Sequence, residues 1–116
     1  MTVRDVCERL EAEIVVPGEH LDESVRCTGA SDILSDVVAR GCAGMLLLTS
    51  QANPHTIRAC ALSEIMAILV TQGRHLEPET LEEARSKGIT LARTDQGLYA
   101  VCGRLFSSGI PAASCL

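Results

Sequence analysis

Two short stretches of this chain, Met45 to Thr49 and Ile65 to Thr71, run without a charged or strongly polar interruption. A strand with one wet face alternates apolar and polar residues, whereas a strand covered on both faces reads as a continuous apolar run. The segments around them carry helical spacing instead. Val3, Val6, Cys7 and Leu10 fall at i, i+3, i+4 and i+7 behind Thr2, with Asp5 at the capping-box position, and predict a helix over 2–11. Glu13 to Val16 predicts a short strand stopped by Pro17-Gly18, and Val25 to Gly29 a second one. Ser31 or Asp32 is then expected to cap a helix carrying Leu34, Val37 and Val38 that ends at Gly41.

Stop and start signals are sharper in the second half. Asn53-Pro54 is an N-cap followed by proline at the first helical position, and predicts a helix to about Ser63. Pro78 opens another helix, with Glu79 in its first turn, a Glu83–Lys87 pair at i, i+4, and Gly88 at its end. Ile89 to Ala92 predicts a strand. Thr94 or Asp95 is expected to cap a last helix with Leu98, Val101, Cys102, Leu105 and Phe106 on one stripe, and the tail over 111–116 to fray. Strands apolar on both faces and alternating with helices imply an α/β fold: a three-layer α/β/α sandwich on a mostly parallel sheet of about five short strands. The last three strand centres, near 47, 68 and 91, leave room for one right-handed helical crossover each. The 116 residues are expected to form a single domain with a core over about 3–110.

Composition removes several classes of function. The net charge is −5, which disfavours nucleic acid, since phosphates are met by clustered Lys and Arg. One Tyr, one Phe and no Trp leave little on which to stack bases. No run approaches the roughly 18–20 apolar residues of a membrane span, and the charges at Arg4, Asp5, Glu8 and Arg9 break any secretory-type apolar core. A cytoplasmic location is expected. The six cysteines, Cys7, Cys27, Cys42, Cys60, Cys102 and Cys115, include no Cys-x-x-Cys pair, so reduced, mostly buried thiols are expected and no metal site.

Chemistry in an open parallel sheet gathers beyond the carboxyl ends of the strands. There the pattern places Thr28, Gly29, Ser31 and Asp32, then Thr49, Ser50, Gln51 and Asn53, then Thr71, Gln72 and Gly73, and finally Arg93, Thr94 and Asp95. Such residues serve equally as caps and turns, or as a rim that holds a ligand on free backbone N–H groups. If a ligand binds, contacts are expected from Ser31, Asp32, Asn53, Thr71, Gly73 and Thr94. Asp32 would suit a hydroxyl or ammonium group and oppose a phosphate. Phosphate-loop glycines and a nucleophile elbow are absent from the sequence. His20, His55 and His75 stand apart, and Asp32 and Asp36 at i, i+4 read first as a cap and a solvated helix face. No catalytic constellation and no cofactor are expected.

The run Gly29-Ala-Ser-Asp-Ile-Leu-Ser-Asp-Val37 resembles the start of a DRTGG domain, and the resemblance continues through Met45–Thr49, Ile68–Gly73, Pro78–Leu81 and Gly88-Ile89. It covers about residues 3–110 and is with the free-standing members that consist of this domain alone. The Thr-Gly-Gly element aligns with Thr71-Gln72-Gly73, where Gln replaces the middle glycine. The Asp-Arg element should follow the third strand, where this chain has Gln51-Ala-Asn53-Pro54. The resemblance implies the sandwich of the N-terminal domain of HPr kinase/phosphorylase. It also implies a non-catalytic regulatory or interaction module, of the kind that accompanies phosphotransacetylases and regulated inorganic pyrophosphatases and, when free-standing, iron-only hydrogenase systems. The alternative is a sensor for a nucleotide or other phosphorylated, anionic metabolite at the strand ends. A homodimer is expected from the apolar content, 47%, and from the related domains. The last helix is the candidate interface, with Tyr99 as anchor, although its stripe would serve equally to pack on the sheet. A further protein partner is left open.

Overall fold

The computed structural model describes residues 1–113. Five helices and five strands follow in the order α1 (Val3–Arg9), β1 (Glu13–Val16), β2 (Cys27–Ala30), α2 (Leu34–Arg40), β3 (Met45–Thr49), α3 (Pro54–Leu62), β4 (Ala67–Val70), α4 (Pro78–Lys87), β5 (Thr90–Arg93) and α5 (Leu98–Ser107). The strands form one sheet in the order β1-β5-β4-β3-β2. Strands β2 to β5 are parallel, and β1 closes one edge antiparallel to β5 with Glu13 opposite Arg93.

Every residue of β3 and β4 is buried. Successive side chains go to opposite faces of the sheet. Leu46, Leu48, Ala67 and Leu69 pack with Val3, Val6 and Leu10 of the α1 segment and Val101 and Leu105 of α5. Met45, Leu47, Ile68 and Val70 pack with Val37 of α2, Ile57 and Cys60 of α3, and Ala84 of α4. The result is the expected α/β/α sandwich, with two helices on one face and three on the other.

Most of the expected helix ends are present. Thr2 and Asp5 form a reciprocal capping box, as do Asn53 and Thr56 with Pro54 behind them, and Gly88 ends α4 in the left-handed conformation. Lys87 Nζ lies 3.9 Å from Glu83 Oε1. Two expected caps are not. The N-cap of α2 is Ile33 and that of α5 is Gly97, neither with a side-chain hydrogen bond. Ser31 instead accepts from the backbone N–H of Ile33 at 3.0 Å, and Thr94 from that of Gln96 at 3.3 Å. Both turns close ahead of the helix, at Ile33 before α2 and at Gln96 before α5, so the small polar side chains stabilise the turn and not the helix. Asp32 precedes α2 and does not share a helix face with Asp36.

The α5 stripe divides. Val101 and Leu105 are buried, Leu98 and Cys102 pack at the edge of the core, and Phe106 is 73% exposed. The far end of the chain also differs from a frayed tail over the part described. Thr28 N–H donates to Pro111 O at 3.0 Å and Ala113 N–H to Thr28 O at 2.8 Å, so this segment lies along the free edge of β2. Covering an edge strand removes a row of unpaired backbone groups. Residues 114–116 lie outside the described part.

Helices α1 and α5 are tied by polar contacts at the end of α1. Gln96 Nε2 donates to Leu10 O at 2.6 Å and Arg104 to Arg9 O at 2.8 Å, satisfying carbonyls that a helix leaves without internal partners. The turn after β1 is held more tightly still. Glu19 N–H donates to Gly88 O and Thr90 Oγ1 to Pro17 O, bringing Gly18, with φ of +64°, against backbone. A Cβ there would stand 2.5 Å from Thr90 N and 2.7 Å from Ile89 C. Gly18→Ala combines left-handed strain with a backbone clash and should cost about 2 kcal/mol or more. Urea unfolding measures it, and a loss below about 0.5 kcal/mol would contradict the close approach.

Candidate functional site

The carboxyl ends of β2 to β5 lie along one edge of the sheet, because these four strands are parallel and in register. The ladder runs past the strands into the loops. Ser31 N–H donates to Leu48 O, Thr71 N–H to Thr49 O, and Thr94 N–H to Val70 O. Ser31, Thr71 and Thr94 are therefore held along one edge by the backbone itself, with the end of β3 between Ser31 and Thr71.

Asp32 is the hub of this edge. Its Oδ1 accepts from Thr49 Oγ1 at 2.7 Å and from Ser50 N–H at 2.7 Å, and its other oxygen accepts from Ser50 Oγ. One carboxylate thus joins the loop after β2 to the loop after β3. Partial burial alone would raise its pKa, but the hydrogen bonds from Ser50 and Thr49, with the charge of Arg74, outweigh that and hold it below the usual carboxylate value. The sequence sets Asp32 among the strand-end contacts and offers Ser31 or Asp32 as a helix cap; the partners that Asp32 takes lie 17 and 18 residues away.

Ser31, Asp32, Thr49, Gln51, Asn53 and Thr56 surround a depression of about 70 Å³. The Asn53 side chain is engaged in capping α3 through the backbone N–H of Thr56. Thr71 is fully buried and its hydroxyl donates to Thr49 O, so it supports the edge from below. Gly73 and Thr94 meet in the next loop pair, where Gly73 N–H donates to Thr94 O at 2.8 Å. Gln72, which the resemblance noted in the sequence sets at a glycine position, adopts φ of +67°, and Gly73 follows at +61°. The turn is thus built for two left-handed residues and accepts a side chain at the first. Arg93 donates to Gly73 O at 3.2 Å and Arg74 to Gln72 Oε1 at 3.3 Å, which places two cations at this edge.

A larger hollow, about 570 Å³, opens at the opposite end of the sheet, where Arg26, Gly44, Met66 and Ile89 precede the four parallel strands. Glu23, Arg26, Glu64 and Lys87 supply its charges, and His20 stands beside Glu23. Nothing in the spacing of these residues marks them, because they come from five separate loops and helix ends. Among the described residues, no group of three or more His, Cys, Asp or Glu could hold a metal ion, and no helix is long and apolar enough to cross a membrane.

No family model matches the chain, and no curated protein sequence matches it. A solved structure does. It is the CBS and DRTGG domains of the regulatory region of a Clostridium perfringens pyrophosphatase, in complex with its activator, diadenosine tetraphosphate. The match has a TM-score of 0.73 at 14% identity and covers 99% of this chain and 50% of that one, so the chain spans half the length of its structural neighbour. The likeness supports a DRTGG-like fold.

The clasp around Asp32 has a testable pH signature. A carboxylate whose folded pKa is depressed adds stability above its unfolded pKa and loses it as pH falls through the folded value. Asp32→Ala should therefore lower stability at pH 7 by about 1–2 kcal/mol, a modest figure because the group is largely exposed. The gap between variant and wild type should close below about pH 4. Urea titrations across this range measure it; a gap that persists at acid pH would mean the loss is not that of the carboxylate.

Proposed function

We propose that this chain is a regulatory module of the DRTGG type that acts by association, pairing with a second copy of itself and communicating with a protein partner, with no reaction of its own. The observation that carries this reading is the outer face of α5. Tyr99 is 85% exposed and Phe106 73%. They are the chain's only Tyr and Phe, and they stand seven positions apart, on the same side of the helix. Between them Gly103 presents open space, with nothing within 4 Å of where a Cβ would be. Two aromatic side chains flanking a glycine offer large apolar contacts and a close approach for a second helix, which suits an isologous pair. Beside them Phe106, Leu105, Cys102 and Ile110 line a shallow, mainly apolar hollow of about 170 Å³. The likeness to a regulatory region supports the reading at the level of fold. The five described cysteines are free, which suits a reducing cytoplasm. The reading does not rest on an association with iron-only hydrogenase systems.

Light scattering at micromolar concentration should give a mass near twice 12.3 kDa, and Tyr99→Glu should return it to the monomer with an unchanged circular dichroism spectrum. A wild-type mass of 12.3 kDa would overturn the pairing. An unchanged dimer in the variant would move the interface off α5.

A second reading, a sensor for a nucleotide or other phosphorylated metabolite, is favoured by Arg74 and Arg93 at the strand ends and by the nucleotide in the neighbour's complex. Ser31, Asp32, Asn53, Gly73 and Thr94 would form the contact edge, with Thr71 behind it. The depression there, about 70 Å³, is well below the roughly 300–1,000 Å³ of small-molecule sites. A nucleotide would therefore lie across the rim with only one group inserted. A ligand at one hundred times its dissociation constant adds about 2.7 kcal/mol, raising the melting temperature by roughly 10 °C. A thermal-shift series with mononucleotides and diadenosine tetraphosphate measures this. Arg74→Ala should abolish a shift that arises at the strand ends, Arg26→Ala one that arises in the opposite hollow, and a flat series removes the sensor reading.

A further inference from the structure

Two of the cysteines meet. Cys27 Sγ and Cys42 Sγ are 3.6 Å apart, although fifteen residues and the whole of α2 separate them in sequence. Cys27 opens β2, and Cys42 stands in the loop just before β3. The parallel pairing fixes both ends. Cys27 is opposite Met45, and Arg26 N–H donates to Gly44 O at 3.0 Å. The loop carrying Cys42 is thus anchored to the same point at which Cys27 enters the sheet. Gly44, at φ of +80°, turns the loop there under the Arg26 side chain. The other described thiols lie in different settings. Cys7 and Cys60 are buried and Cys102 is half-buried, while Cys42 is exposed and Cys27 lies partly covered behind it.

We propose that Cys27 and Cys42 form a redox modification site, in which a hydroperoxide converts the two thiols to an intramolecular disulfide. The exposed thiolate of Cys42 attacks the distal peroxide oxygen, the O–O bond breaks, and hydroxide leaves with a proton as water, giving a sulfenic acid on Cys42. Cys27 then attacks that sulfur, the S–O bond breaks, and a second water leaves with the proton from Cys27. Two thiols and one hydrogen peroxide give one disulfide and two waters; each sulfur loses one electron and each peroxide oxygen gains one. Burial, together with the hydrogen bond to Cys42, pushes the Cys27 thiol up to about 11, so it stays protonated at neutral pH and is not the thiol that meets the peroxide; its part in the second step rests on its 3.6 Å proximity to Cys42 Sγ. The bond would close a ring around α2 and tie the start of β2 to the loop ahead of β3. The free end of that same strand leads directly into Ser31 and Asp32.

The test is mass mapping of the intact chain after hydrogen peroxide treatment and alkylation. Cleavage after Arg26, Arg40 and Arg58 separates the two cysteines into peptides 27–40 and 41–58. The expected product joins these two peptides with the loss of two hydrogens. It should form about tenfold faster in the native chain than in urea, since the fold supplies the proximity. It should also raise the melting temperature by several degrees and reverse with dithiothreitol. In Cys27→Ser, dimedone should trap a sulfenic acid on Cys42; Cys115→Ser should leave the native link intact. The proposal is overturned if both cysteines stay separately alkylated, if Cys42 oxidises onward without a link, or if Cys42 joins another cysteine or a second chain. Equal rates in native and unfolded protein would also overturn it.

Discussion

The whole architecture hangs on the withdrawal of β3 and β4 from water on both faces. All nine strand positions of the two elements are buried, and a sheet core of that kind has no stable form unless helices cover it on each side. The chain meets the requirement unevenly. The short helix α1 and the last helix α5 serve one face, and α2, α3 and α4 serve the other. Because a parallel pair needs a crossover, each helix on the second face is also the connection between neighbouring strands. Covering the core and connecting the strands are one solution here, and it brings all four parallel strand ends to a single edge.

That edge is organised inward. The carboxylate of Asp32 is engaged by Thr49 and Ser50, Asn53 and Thr56 cap each other, and Thr71 and Thr94 are held in the backbone ladder. Polar residues in this arrangement fix the loops relative to one another, and the cations Arg74 and Arg93 are pinned by nearby carbonyl oxygens. Polar groups that satisfy each other in this way hold the loops of the edge in one arrangement. The exposed aromatics of α5 take no part in these contacts and are carried by a helix whose inner face is locked to the sheet by Val101 and Leu105.

Much of this is legible in the amino-acid sequence. The helix starts at Thr2 and Asn53, the glycine end of α4 and the two fully apolar strands depend on interactions within about four residues or on burial of a whole segment, and both leave marks in local sequence. The site was legible as an edge but not as a geometry. Asp32 after a strand reads as a helix cap because capping is the commonest local use of such a residue. Its actual donors belong to the next strand's loop. Thr71 reads as a rim contact, yet lies wholly buried, because the ladder continues one residue beyond β4.

The sequence by itself determined which segments are strands and helices, that the sheet is covered on both sides, and that its polar loops collect at the strand ends. Only the tertiary structure decided that β1 runs antiparallel on the edge beside β5, that Pro111 to Ala113 close the opposite edge, that Asp32 bridges two loops, and that Cys27 touches Cys42. The physical reason is the same in each case. Local patterning fixes conformation through contacts a few residues apart, whereas strand order and the meeting of distant side chains follow from how whole elements pack, and no spacing along the chain encodes that.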